Sequence, residues 1–168
     1  MFQAQREPSN DLYLGCVRFL NHEAELLDSY RFSEWLDLVS EDIEYEVPVR
    51  TDRERSAEQF SDSGFHFKED YRSLETRVER LNSEFVWSHD PPMRTRRFVS
   101  NVRVTDWTED TVTTKNNLLL FRSQGNRSSY DLVSGERHDT IDTDTSELTE
   151  RSVLLDHTVL EDHLDLFL

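Results

Sequence analysis

Residues 88–104 read SHDPPMRTRRFVSNVRV. Asp90-Pro91-Pro92 fixes φ at two successive positions and restricts the residue before each proline, so a stiff turn is predicted there. From Thr95 onward the period is mostly two, which predicts a strand over about 96–106. On that strand Arg94 and Arg96 point to one face, and Arg97, Val99 and Asn101 to the other. Further strands are predicted at about 111–123, 129–142 and 147–156. Turn signals separate them at Thr108–Asp110, at Gln124-Gly125-Asn126-Arg127 and near Asp144. Gly135, inside the third of these strands, predicts a bulge.

Upstream of the turn the apolar period is mainly helical. Tyr13, Cys16, Val17, Leu20, Ala24 and Leu27 share one face of a helix predicted over 11–28, with Ser9 or Asn10 as its cap. A short helix follows at about 33–40, capped by Ser33, with Phe32, Trp35, Leu36 and Val39 as its apolar stripe. Residues 43–49 alternate, with Ile43, Tyr45 and Val47 opposite Glu44 and Glu46, as in a strand with one wet face. Thr51–Phe67 reads as a loop. A third helix is predicted over 69–82 on Tyr71, Leu74, Val78 and Leu81, with Glu69 and Asp70 at its start and Arg77 and Arg80 at its end. Helices first and long strands afterwards give an α+β fold, with helices on one face of a curved antiparallel sheet. The 168 residues suit a single domain over 1–168, with residues 1–10 as an extended arm.

Formal net charge is 19 − 35 = −16, which argues against nucleic acid and against an anionic membrane surface. Only Lys68 and Lys115 of the 19 basic residues are Lys. With one Cys, Cys16, the chain cannot build a structural zinc or iron–sulfur site from its own thiolates. His157 and His163, six apart, share one face of a strand but not of a helix, and read as surface or core-edge residues, with an iron site of two His and a carboxylate as the sharper alternative. The run Asp139, Asp142, Asp144 and Glu147 fails the calcium-loop spacing and reads as a solvated strand end. No Gly-x-Ser-x-Gly elbow occurs, and glycines at 15, 64, 125 and 135 make no phosphate-cradling loop. No secretory leader is visible, and the longest apolar run, Leu118–Phe121, is too short to span a bilayer, so a soluble cytoplasmic protein is expected. The arginines after the turn then have three readings: pairing with the chain's own carboxylates, reaching carboxylates of another subunit, or holding an anionic substrate.

The order of the motifs adds a resemblance. The segments FLNHEAELLDSYRFSEWLDLVSEDIEYEVPVR (19–50), RVERL (77–81), WSHDPPMRTRRFVSNVRV (87–104), NNLLLFRSQ (116–124), DLVSGERHDTI (131–141) and SVLLDHTVLEDHLDLFL (152–168) resemble, in order, the small (β) subunit of the aromatic-ring-hydroxylating dioxygenases. These are Rieske non-haem iron oxygenases of the naphthalene and biphenyl dioxygenase type. The resemblance implies a cone-shaped, NTF2-like fold and a structural β subunit without catalytic, cofactor-binding or metal-binding residues. It implies a large α subunit as partner, in an α3β3 hetero-hexamer. That α subunit would carry the Rieske [2Fe-2S] cluster and the mononuclear Fe(II), fed from NAD(P)H through a reductase and a ferredoxin. The enzyme would add both atoms of O2 to an aromatic ring, giving a cis-dihydrodiol. Trp87, Asp90, Arg94, Arg96, Arg97 and Asn101 are then expected at or near subunit contacts. The alternative is a stand-alone isomerase, dehydratase or ligand-binding protein on the same fold. Polar residues lining a ligand-sized cavity would support it, and an apolar, filled cone would not.

Overall fold

The computed structural model describes residues 7–51, 59–87, 93–125, 128–158 and 167–168, with backbone alone for 84–87. Helices α1 (Asn10–Asp28) and α2 (Phe32–Leu36) precede strands β1 (Val39–Arg50) and β2 (Phe60–Glu69). Helix α3 (Tyr71–Trp87) then carries the chain to β3 (Met93–Trp107), β4 (Thr111–Gln124), β5 (Tyr130–Asp142) and β6 (Leu148–Leu155). The strands form one sheet in the order β2-β1-β6-β5-β4-β3. All neighbours are antiparallel except β1 and β6, which run parallel. β2 occupies one edge of β1, so the other edge is left to the last strand of the β3–β6 meander. The sheet is therefore antiparallel, as expected, at every pair but that one.

α1 starts where Ser9 Oγ accepts the Leu12 N–H at 3.1 Å. Its buried face is Cys16, Leu20, Glu23, Leu26 and Leu27. Tyr13, predicted on that face, is exposed. The helix ends through Tyr30, a non-glycine residue at φ 58, with the Arg31 N–H bonded to the Leu26 carbonyl at 2.9 Å. The Tyr30 hydroxyl donates to the Met93 carbonyl, so this turn is tied to the start of β3. α2 is shorter than predicted, and its cap position is Arg31, not Ser33. Asp70 Oδ1 takes the Ser73 N–H at the start of α3, while Glu69 belongs to β2. Arg77, predicted as a helix-end cation, is buried on the inner side of α3, 3.1 Å from Glu69 and over the Phe67 ring.

β2 replaces most of the predicted loop. Neither of its faces is fully buried, so its side chains lack the alternation that marks a half-buried strand. Backbone pairing to β1 defines it, across irregularities that flank Pro48, the residue with no N–H to give. Gly135 causes no bulge, and its pairing is regular with both β4 and β6. A Cβ there would lie 2.7 Å from the Leu154 carbonyl oxygen, so glycine is needed for close approach of a neighbouring backbone. Gly135→Ala is expected to cost about 1–3 kcal/mol as overpacking, read as a lower thermal midpoint. The core lies between the three helices and the inner face of the sheet. Trp35, Phe32, Tyr45, Leu74, Leu118 and Val153 are among its members.

Candidate functional site

The two faces of the sheet differ in character: the inner one packs on the helices, and the outer one is open. Charged side chains occupy the interior. Glu23 enters from α1, Arg137 and Asp139 from β5, Arg151 from β6 and Asn116 from β4, all at most 1% exposed. Glu23 Oε1 accepts the Trp35 indole N–H at 3.0 Å and Arg151 Nη1 at 2.5 Å, and Oε2 accepts Arg151 Nη2 at 2.9 Å and Arg137 Nη1 at 3.3 Å. Asp139 Oδ1 accepts Arg151 Nε at 2.7 Å, and Oδ2 accepts Asn116 Nδ2 at 2.8 Å. Arg137 Nε donates to Asn116 Oδ1 at 2.8 Å.

Two carboxylates therefore face two guanidiniums, and the buried charge cancels. The main-chain oxygen of Leu168 accepts from Arg151 Nη1 and from the Tyr45 hydroxyl, while the Phe167 ring stacks on Trp35 at 4.1 Å between centroids. Burial alone would raise the Glu23 carboxyl, but the Arg151 and Arg137 charges and the hydrogen bonds hold it down to about 2. A carboxylate fixed as an anion and enclosed by guanidiniums cannot trade protons near neutral pH, so general acid–base chemistry is not available to it. The centre of the interior thus holds a paired ionic group, where an apolar filling was the expectation for a structural subunit.

Asp139 is thus not part of a solvated acidic strand end. Its side chain points inward to Arg151, while Asp142 Oδ1 closes the following turn by accepting the Asp144 and Thr145 N–H groups. A legible signal existed for the ionic centre. Glu23 falls in the apolar stripe of α1, and Arg137, Asp139 and Arg151 fall at inward positions of alternating strands. Among the described residues no group of three or more His, Cys, Asp and Glu could hold a metal ion. A Rieske cluster does not fit this chain, because Cys16 is its one cysteine and is buried in the core, where burial pushes the thiol up.

The outer face has a different character. Arg94, Arg96 and Phe98 point outward from β3, as the alternation predicts. Register sets Phe98 beside Leu119, and Arg96 beside Phe121 and, one strand further, Leu132. Arg94 lies level with Ser123 and Tyr130. Phe98 is 54% exposed, Tyr130 60%, Leu132 44% and Leu119 37%, while the Phe121 and Tyr130 rings stack at 5.5 Å. Phe98, Leu119, Leu132 and Tyr130 thus make one exposed apolar patch on this face. The patch gives way further along β5 to Glu136, whose carboxylate takes both Arg103 and His138 at 2.7 Å.

The predicted interface residues separate accordingly. Arg94 and Arg96 lie on this exposed face, and Asn101 is exposed at a β3 irregularity with φ 51. Arg97 turns inward, away from that face, to a partner within the chain. Its Nη1 bonds Asp28 Oδ1 at 2.6 Å and its Nη2 the Phe167 carbonyl at 2.6 Å, with the side chain fully buried. Trp87 ends α3 with its side chain outside the described residues, and Asp90 lies outside them altogether.

A family profile described as "Ring hydroxylating beta subunit" matches residues 22–162. The benzene 1,2-dioxygenase subunit beta of Pseudomonas putida is 34% identical over 160 residues, covering 89% of this chain and 85% of its own. The biphenyl 2,3-dioxygenase subunit beta of Rhodococcus jostii is 31% identical over 159 residues, with the same coverage. Among solved structures, a chain of naphthalene 1,2-dioxygenase with indole bound in the active site superposes with a TM-score of 0.83 at 24% identity, over 97% of this chain and 89% of that one. The expected α+β, NTF2-like architecture is therefore the observed one.

Proposed function

Since the chain belongs to the β subunits of the ring-hydroxylating dioxygenases, we propose that it braces the terminal oxygenase and takes no part in the chemical steps. As a β subunit it is one component of an oxidoreductase complex and has a large subunit as its partner. The observation that carries the non-catalytic reading is the interior, where Glu23, Arg137, Asp139 and Arg151 pair with one another between the helices and the sheet.

The large subunit supplies the Rieske [2Fe-2S] cluster and the mononuclear iron, in an α3β3 assembly in the cytoplasm. The complete enzyme combines an aromatic ring with O2, two electrons from NAD(P)H passed through reductase and ferredoxin, and two protons. Both oxygen atoms end on the ring as a cis-dihydrodiol. The chain acts as one domain over its length. The outer sheet face is its contact surface, with Arg94, Arg96 and Asn101 on that side and with Trp87 and Asp90 leading into it. Exposed guanidiniums on an otherwise acidic chain suit carboxylates of a partner, and the apolar centre around Phe98 suits a desolvated contact.

Arg96→Ala is expected to weaken the complex by about 2 kcal/mol, roughly thirtyfold, and Phe98→Asp by more. Sizing of the co-expressed complex at several salt concentrations measures both. Unchanged assembly in the two variants would move the contact off this face.

A further inference from the structure

One cavity lies beyond the ionic centre. Along β4 and β5 the inward pair after Thr114 and Asp139 is Val112 and Ile141. Above that pair the first half of α1 stands off the sheet and leaves a cleft of about 480 Å³. Leu12, Cys16 and Phe19 form its helix wall, and Leu38, Val112 and Ile141 form the opposite wall. Asp11, Arg18, His22 and Asp142 stand at its rim.

Gly15 opens onto this cleft from the middle of α1. A Cβ built there would meet nothing within 4 Å. Glycine weakens a helix interior, and a side chain at this exposed, cleft-lining position would have open space before it.

We propose that this cleft is a binding site for a small neutral ring compound, aromatic or alicyclic, within the assembled β subunit. Its size falls in the range of roughly 300–1,000 Å³ typical of small-molecule sites, and its walls are mostly apolar. The Phe19 ring and the Cys16 sulfur offer a flat, polarisable surface to a ring. The rim carries charges of both signs, and the chain as a whole is strongly anionic, so anions are repelled and no single charge is selected. This site is separate from the outer sheet face and does not depend on it.

Fluorobenzene is a suitable probe, titrated into the full chain while the methyl resonances of Val112 and Ile141 are followed by NMR. Saturable shifts at both residues are expected. Gly15→Trp, which adds an indole at the cleft lining, should weaken binding by at least about tenfold while leaving the thermal midpoint close to that of the parent. Gly15→Leu gives the same test with a smaller side chain should the indole disturb folding. The inference is overturned if no saturable shift occurs, if the shifts fall on Leu119 and Leu132 of the outer face, or if both folded variants bind as the parent does. It is also overturned if Gly15→Trp binds normally but fails to join the large subunit, since the cleft then receives a partner. None of these results alters whether the parent chain assembles, so the site and the β-subunit reading fail separately.

Discussion

Glu23→Ala should destabilise the chain by about 3–5 kcal/mol, because it leaves Arg137 and Arg151 buried with one carboxylate between them. The substitution suits the helix itself, as alanine is the strongest helix former, so the loss reports the interior and not α1. Trp35 also loses the acceptor for its indole N–H at 3.0 Å. Urea unfolding of the full chain, followed by tryptophan fluorescence and far-ultraviolet dichroism, measures the effect. A variant within about 1 kcal/mol of the parent would mean that the ionic centre is marginal to the fold.

The same carboxylate sets an acid limit. Its folded value of about 2 lies below the ordinary 4.5, so the folded state binds this proton less readily than the unfolded chain. The stabilisation is therefore fully present above the ordinary carboxylate range and is lost as pH falls toward 2. It amounts to about 3 kcal/mol, taking 1.36 kcal/mol per unit. Between those limits the parent should lose stability faster than Glu23→Ala, which has no such carboxyl to protonate.

The second large effect is at Asp28, where α1 meets β3. Its Oδ1 accepts Thr95 Oγ1 at 3.1 Å and Arg97 Nη1 at 2.6 Å, and its Oδ2 accepts the Arg97 backbone N–H at 2.8 Å. Asp28→Ala should cost about 3–5 kcal/mol, since the Arg97 guanidinium is left buried without its counter-ion. Adding Arg97→Met removes the stranded cation and should recover much of that loss, because replacing a whole buried pair by apolar groups is often near neutral. A double variant no more stable than Asp28→Ala would show that the tether matters through the Thr95 and backbone bonds instead. Arg96 and Phe98 flank Arg97 on the outward side of β3, so Asp28→Ala should also loosen assembly with the large subunit.

Where the physics is local, the sequence reads well. The Ser9 cap, the α1 stripe and the alternation of β3 to β6 each depend on residues a few positions apart, and all appear close to their predicted places. β2 was missed because its side chains are half-buried on both faces, and its existence depends on backbone bonds to β1. The ionic centre was missed for a related reason. Its residues are spread from position 23 to position 151, so no local spacing in the sequence joins them. Asp139 was grouped with Asp142 and Asp144, although parity along β5 sets it on the inner face with Arg137 and Ile141. Arg97 followed the same pattern in reverse. Alternation puts it on the face opposite Arg94 and Arg96, but the carboxylate it meets there, Asp28, lies 69 positions earlier in the chain.

The most direct test of the structural role is the native mass of the complex formed when this chain is produced together with the large subunit of its own oxygenase. Equal numbers of the two chains in one particle, three of each, are expected, with dihydrodiol formation lost when this chain is omitted. A large subunit that assembles and turns over fully without it, while this chain stays alone in solution, would contradict the account.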